Sequence, residues 1–154
     1  MKLVNCDKKY WEFVRLLRTH PDNQNSFKTQ TEITIEQQEE FMLKNSDNYK
    51  ICISDNDCPI GYVGLINGNE VTYCVDPKHK GRGIGTFMIK EILKEGIDAY
   101  VKMDNIASQK VFEKLGFEKQ YYYTYDRVSH LMKKDVMKIT KEELDFLKSK
   151  NIIR

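Results

Sequence analysis

The sequence predicts one α/β (α+β) domain built around a mixed sheet, with an added helix at its C-terminal end. Three observations carry that expectation. At 154 residues, with 40% apolar and 31% charged residues, the chain has the length and balance of one ordinary globular domain. Helical and strand periodicities take turns along it, and each change of period falls on a cap or turn signal. No internal repeat, linker or low-complexity block interrupts the pattern.

The first helix is expected from Asp7, a good N-cap, with Tyr10, Phe13, Val14 and Leu17 at helical spacing. It should stop before Pro21, because a proline keeps its predecessor out of the helical region. Pro21 to Glu32 is polar and reads as a loop. A second helix is expected from Thr34, where Gln37 completes a capping box, with Phe41 and Met42 turned inward. Tyr49 to Ile53 and Pro59 to Ile66 read as strands. Asn67-Gly68 then signals a tight hairpin into a third strand, Glu70 to Val75. Ile84 to Glu95 has helical spacing, with Phe87, Met88, Ile92 and Leu93 inward, and Gly96 closes it. A strand from Ile97 to Lys102 follows, and then a helix from Asn105 to Leu115. Two further strands are expected at Tyr121–Tyr125 and Ser129–Lys133. The last helix runs from Thr140 towards Lys150, with Leu144 and Leu147 as its apolar stripe.

Charge and composition exclude several classes. The 25 Lys plus Arg nearly cancel the 23 Asp plus Glu, so no whole-molecule field draws the chain to nucleic acid or an anionic membrane. No apolar run approaches the ~18 residues of a membrane span, and the N-terminus lacks the apolar stretch of a secretion signal. A cytoplasmic protein is expected. Cys6, Cys52, Cys58 and Cys74 form no C-x-x-C pair and the histidines are scattered. Buried reduced thiols are therefore expected, with neither disulfides nor a metal site.

The most informative stretch is Val75-Asp76-Pro77-Lys78-His79-Lys80-Gly81-Arg82-Gly83-Ile84-Gly85-Thr86, where a strand gives way to a helix. Glycines let backbone N–H groups approach an anion closely, and the helix start adds unpaired donors and a partial positive charge. Lys78, Lys80 and Arg82 place cations beside them. The spacing is neither a Walker A loop nor a dinucleotide fingerprint. A glycine-rich helix start that binds nothing is the competing reading of these residues alone.

Lys80-Gly81-Arg82-Gly83-Ile84-Gly85 resembles the core motif of the GNAT superfamily of acetyl-CoA-dependent N-acetyltransferases, with Lys80 where Arg or Gln is usual. A second motif follows at the family's spacing: Asn105, Ser108 in place of alanine, and Phe112-Glu113-Lys114-Leu115-Gly116-Phe117. The resemblance spans roughly residues 60 to 120. It implies a single acetyltransferase domain over 1–154, with a mixed, mostly antiparallel central sheet of about six to seven strands flanked by helices. It implies acetyl-CoA as co-substrate, and no metal. Backbone amides of Arg82, Gly83, Ile84, Gly85 and Thr86, with Lys80 and Gly81, would hold the pyrophosphate. The strand edge at Cys74 and Val75 would pair with the pantetheine arm, and the Val75 amide would donate to the thioester oxygen. Asn105 would touch the cofactor, although it could simply cap its helix.

A lysine-like amine is neutral at pH 7 only at a cost of about 4.6 kcal/mol, so acyl transfer to it calls for a base. Glu70, at the start of the third strand, is the first candidate and Glu32 the second; for each, exposed surface is the plainer alternative. Phe112 stands where many relatives carry a tyrosine acid. Tyr121 to Tyr123 could substitute, and the departure also leaves room for a CoA-binding regulatory module without catalysis. On the acceptor side, Arg18, His20, Phe27 and Glu32 surround the first two helices. This region looks like enzymes that acetylate nucleotide-linked amino sugars. Lys8, Lys9, Arg15 and Arg18 favour an anionic partner, with Trp11 and Phe27 available to stack on a base. Glu32, Glu36, Glu39 and Glu40 instead suit a polyamine or basic peptide. The terminal helix could pack on its own sheet or on a second subunit, so a homodimer stays open.

Overall fold

The computed structural model describes residues 1–24, 32–94, 96–102, 105–123, 128–133 and 149–150, and the side chains of 24, 119–123 and 128–133 are not among those described. The expected terminal helix from Thr140, Phe27, and the side chains of Tyr121 to Tyr123 lie outside this set. The chain divides into two compact units, Met1–Ile92 and Leu93–Arg154.

The first unit opens with a strand that local pattern did not predict, β1 (Lys2–Asn5). Four residues are too few to show a period, and pairing alone makes them a strand: Leu3 and Val4 lie opposite Cys52 and Ile51. A single 3-10 turn (Lys8–Tyr10) intervenes before α1 (Trp11–Thr19), which therefore starts three residues later than an N-cap at Asp7 predicts. It ends at His20, whose extended backbone (ψ 132°) obeys the constraint set by Pro21. Pro21–Gln24 is a one-turn helix, α2, inside the stretch expected to be loop. Buried Asn23 anchors it by donating from Nδ2 to Leu17 O at 3.0 Å.

The capping box forms as expected at α3 (Ile35–Asn45): Gln37 N–H donates to Thr34 Oγ1 at 3.1 Å and Thr34 N–H to Gln37 Oε1 at 2.9 Å. The helix buries Gln38 and Met42, whereas Phe41 is 43% exposed, contrary to expectation. Gln38 takes the inward position one turn before Met42 because its Nε2 donates to Trp11 O at 3.0 Å, tying α3 to α1.

β2 (Tyr49–Ile53), β3 (Pro59–Ile66) and β4 (Glu70–Val75) continue the antiparallel sheet in the order β1-β2-β3-β4. The β3–β4 hairpin turns on Asn67 and Gly68, both in the left-handed region (φ 53° and 80°). Strand alternation gives the sheet two faces. Tyr49, Ile51, Tyr62 and Cys74 meet Val14, Leu17 and Met42 in one core under α1 and α3. The opposite face carries α4 (Ile84–Glu91), where a Cβ on Gly61 would lie 3.1 Å from Met88 Cε. This helix is shorter than expected: its inward residues are Ile84, Gly85, Met88 and Ile89, and it ends before Ile92 and Leu93.

In the second unit, β5 (Asp98–Lys102) pairs antiparallel with β7 (Val128–Lys133), and β7 with β6 (Phe117–Tyr123). Between β5 and β6 the chain forms α5 (Ile106–Lys114), whose Phe112 meets Phe117 edge-on with ring centroids 4.9 Å apart. All five of these strand pairings are antiparallel, and the described residues hold seven strands. Cys6, Cys52 and Cys74 are buried free thiols as expected, but Cys58 sits in an exposed turn.

Candidate active site

The glycine-rich turn is shaped by its backbone. Asp76 caps a single 3-10 turn (Pro77–His79) by accepting from Lys78 N–H at 3.0 Å. Gly81 and Gly83 then adopt φ 79° and 77°, and no neighbouring atom lies within 4 Å of the Cβ either would carry. These two are glycines for the sake of the backbone angle. Gly85 is glycine for another reason: its Cβ would stand 2.9 Å from Tyr73 Cε2, so its absence lets α4 lie against β4.

Helix α4 starts without a side-chain cap. Gly83 is the N-cap, and the first helical bond runs from Phe87 N–H to Gly83 O at 3.0 Å. The amides of Ile84, Gly85 and Thr86 therefore have no acceptor within their own helix. Together with the partial positive charge of a helix start, they form a place for an oxyanion. Lys78, Lys80 and Arg82 are exposed around it. Lys80 Nζ also lies 3.4 Å from Asp22 O, reaching from this turn to α2.

The ladder between β3 and β4 separates Cys74 from Val75. Asp76 N–H donates to Ile60 O at 2.9 Å, and Gly61 lies opposite Val75. Antiparallel neighbours alternate between bonding across the ladder and pointing away from it. Val75 thus directs its N–H and C=O away from β3, as the sequence reading requires of a donor. Cys74 faces Tyr62 across the ladder with both backbone groups turned inward, so its main chain is not offered to a ligand as expected. Burial pushes the Cys74 thiol up to about 12, and its Sγ lies 3.8 Å from Leu17 O. It is a core thiol, and no thiolate nucleophile exists there at neutral pH.

On the α1/α3 side of the sheet a cleft of about 610 Å³ opens, and Arg18 and Glu32 both line it. Its floor is Tyr49, Tyr62 and Thr72; Phe41 and Gln37 of α3 form one wall, and Glu40 and Lys44 stand among its charged residues. Phe41 meets the Tyr49 ring edge-on at 6.0 Å, which accounts for its half-exposed position. Burial pushes the Tyr49 phenol up to about 12 and the Tyr62 phenol well above its ordinary range, so both are neutral hydrogen-bonding groups at pH 7. Burial lowers the Arg18 guanidinium, against the opposing influence of Tyr62, Cys74 and Tyr49. These three floor residues escaped the sequence reading. Tyr62, one residue after Gly61 and two before Gly64, would not be singled out in the sequence, nor would Tyr49, which packs on Gly64, a position with room for no Cβ.

Glu70 shares the cleft face of β4 with Thr72 and Cys74, opposite Ile66, itself a lining residue. It stands five residues before Val75, roughly 17 Å of strand, beyond the reach of one bridging water. His20 does not line the cleft; its Nδ1 accepts from Asp22 N–H at 3.1 Å and so caps α2. Trp11 is likewise committed, donating from Nε1 to Cys6 O at 3.0 Å rather than stacking on a ligand. Two of the basic residues in and just before α1 are paired within the chain. Arg15 bonds Glu12 and, from Nη1, Ile33 O at 2.9 Å, and Lys8 lies 3.3 Å from Glu39.

In the second unit, Asn105 Oδ1 accepts from Ser108 N–H at 3.2 Å and so caps α5, with its NH2 donors taking no part in that cap. Phe112 is buried and carries no proton to give. Among the described residues, no three His, Cys, Asp or Glu side chains cluster as metal ligands, and no helix is long and apolar enough to cross a membrane.

Comparison with solved structures finds the same fold repeatedly. A spermidine N-acetyltransferase from Vibrio cholerae, solved with CoA and spermine, superposes with a TM-score of 0.76 at 17% identity, covering 84% of this chain and 92% of that one. A protein described as a phosphinothricin N-acetyltransferase gives a TM-score of 0.70 at 18% identity, with 84% and 94% covered. An acetyltransferase of the GNAT family from Bacillus anthracis gives 0.64 at 18%, with 84% and 90% covered. No curated protein sequence matches the chain significantly. At these identities the likeness is one of fold: a mixed α/β, mostly antiparallel sheet flanked by helices. The model of the Acetyltransferase (GNAT) family matches residues 10–117, well over half the chain and both spaced motifs, and the chain therefore belongs to the GNAT family of acetyltransferases.

Proposed function

We propose that the protein transfers an acetyl group from acetyl-CoA to the primary amine of a small molecule, with 1–154 working as one catalytic domain. The observation that carries this is the turn of residues 80–86, a helix start with no side-chain cap directly after a strand whose last amide points away from its neighbour. The amides of Ile84, Gly85 and Thr86, with Lys80 and Arg82, would hold the CoA pyrophosphate, and the Asn105 NH2 would touch the cofactor. Bound there, acetyl-CoA supplies an activated acyl group as a thioester.

The residues of this chain then divide the work. The Val75 N–H stabilises negative charge on the acyl oxygen. Cys74, Tyr49 and Tyr62 stay protonated at neutral pH, which supports direct attack by the amine over an acyl-enzyme route. Glu70 takes the amine's proton through several waters along the Thr72 face. Phe112 offers no acid, and none is needed for a thiolate leaving group whose ordinary pKa is about 8.5. Arg18 and Glu32 position the acceptor, for which a nucleotide-linked amino sugar is the best single candidate; the cleft has the size of a nucleotide-sugar site. A polyamine is the second reading, supported by Glu32 and Glu40 in the lining and by the spermine-bound structure of similar fold.

Two measurements test the proposal. Calorimetry is expected to register binding of CoA, and mass spectrometry is expected to show one acetyl group added to an amine from a panel of amino sugars, nucleotide-linked amino sugars and polyamines. Glu70→Gln should lower kcat by about 10- to 100-fold, with activity partly recovered at higher pH where the amine deprotonates unaided. No heat with CoA would sink the proposal, and full activity in Glu70→Gln would remove Glu70 from it.

A further inference from the structure

We infer that the acceptor carries a flat aromatic ring well separated from its amine, and that the half-exposed ring of Phe41 is the platform on which it stacks. The inference rests on the acetyltransferase reading of the cleft and deepens it by naming the far end of the acceptor. Phe41 lies on α3 among Gln37, Gln38, Lys44 and Asn45, all of which line the cleft. The buried side of this helix is Gln38 and Met42, and outside such a stripe a surface helix ordinarily carries polar residues. Phe41 departs from that pattern at 43% exposure. Leu43, also exposed, is two positions further on, roughly 200° around the helix, and does not line the cleft. The bare surface of Phe41 therefore belongs to the cleft and is not part of one apolar face of α3.

The ring is held in place before any ligand arrives. Its centroid lies 6.0 Å from that of Tyr49 with the planes at 77°. In such a pair the edge of one ring meets the face of the other, so at least one face of Phe41 is left uncovered by Tyr49. The helix beneath is fixed by the capping box at Thr34 and by Asn45 Nδ2, which donates to Phe41 O at 2.9 Å. A rigid platform loses little conformational freedom on binding.

The sheet register sets how far the stacked ring is from the chemistry. Tyr49 lies opposite Gly64, and Gly64 opposite Thr72, so the Phe41–Tyr49 pair marks the row of the sheet that ends at Thr72. Val75, whose N–H meets the acyl oxygen in the proposed reaction, is three residues further along β4, roughly 10 Å of strand. An amine one or two carbons from its ring cannot span that distance. An amino sugar joined through a diphosphate and ribose to a nucleobase can, which makes a base the favoured source of the ring. Both signs of charge surround the cleft, Arg18 and Lys44 with Glu32 and Glu40 in the lining and Glu70 on the same face of β4. Stacking on a hydrocarbon ring is indifferent to their balance and accepts purines and pyrimidines alike.

The test compares acceptors with and without the ring: a nucleoside diphosphate amino sugar against the phosphate of the same amino sugar, and phenylhexylamine against hexylamine, with phenethylamine as the short-linker control and spermidine as a ringless polyamine. Binding is read by calorimetry with desulfo-CoA present, and turnover by initial rates with acetyl-CoA. The long ring-bearing member is expected to bind about 5- to 100-fold more tightly than its ringless twin, and phenethylamine to gain little. Phe41→Leu keeps the hydrocarbon but not the ring; it should erase the difference by raising KM for the ring-bearing amine, whereas Phe41→Trp should preserve or enlarge it. A ring preference in the phenyl pair alone supports the platform and assigns the ring to an aryl amine. Equal binding of the twins in both pairs, an undiminished preference in Phe41→Leu, or faster turnover of spermidine than of every ring-bearing amine overturns the inference and leaves the acetyltransferase reading standing. A ring preference in binding without turnover of any acceptor counts against that activity instead. Should Phe41→Leu fail to fold, the matched pairs on the unmodified protein decide by themselves.

Discussion

The two kinds of glycine in the 80–86 turn make different demands, and substitution separates them. At Gly85 the limit is space: an added Cβ meets the Tyr73 ring at 2.9 Å. Gly85→Ala is expected to destabilise the fold by about 1–3 kcal/mol, and most of that loss should vanish in a Tyr73→Leu background. At Gly83 the limit is φ 77°, with open space around it. Gly83→Asn should therefore be tolerated better than Gly83→Val, since asparagine visits the left-handed region more readily than a β-branched residue. Urea denaturation of the four variants checks both statements; equal losses at Gly85 in the two backgrounds would remove Tyr73 as the cause. The glycines were visible in the sequence, but not which of them serves the backbone and which the packing.

Among the elements, α3 is where local signals and tertiary demands are easiest to tell apart. Its start was legible because Thr34 and Gln37 satisfy each other's backbone donors within four residues. Thr34→Ala is expected to cost about 1 kcal/mol and Thr34→Ser much less, measured as the thermal midpoint by circular dichroism. Unchanged midpoints in both would show that packing alone holds the helix. Its inward face was misread at Phe41, since periodicity does not reveal that Gln38 finds Trp11 O or that Tyr49 offers its ring edge at the rim of a cleft. β1 was missed for a related reason: a four-residue edge strand has no signal apart from its partner β2.

Across the first unit as a whole, the core buries several groups that must stay neutral. Burial raises Cys6 from 9.0 to about 11, Cys74 from 9.0 to about 12 and Tyr49 from 10.0 to about 12. Each folded value lies above the unfolded one, so the stability they contribute is intact below about pH 9 and falls as pH climbs towards 12. Melting temperature should be flat from neutrality to that threshold and then decline steeply. Thiol reagents in the native state should label exposed Cys58 first and leave the other three until unfolding. A melting temperature that holds steady to pH 11 would show that these groups ionise without unfolding the core.

What the sequence determined by itself was whatever depends on near neighbours along the chain. That covers the capping box, the Asn67-Gly68 hairpin, the glycine-rich turn into α4 and the family to which the two spaced motifs belong. Such features are set by backbone angles and by donors and acceptors a few residues apart, and they leave fixed signatures in residue type. The tertiary structure alone decided which side chains meet. It brought Arg18 and Glu32 into one cleft over Tyr49, Tyr62 and Thr72, turned His20 and Trp11 to structural bonds, and pointed Val75 away from β3 while locking Cys74 against it. Those outcomes depend on strand register and on the space left between helices and sheet, which arise only when segments distant in sequence pack together.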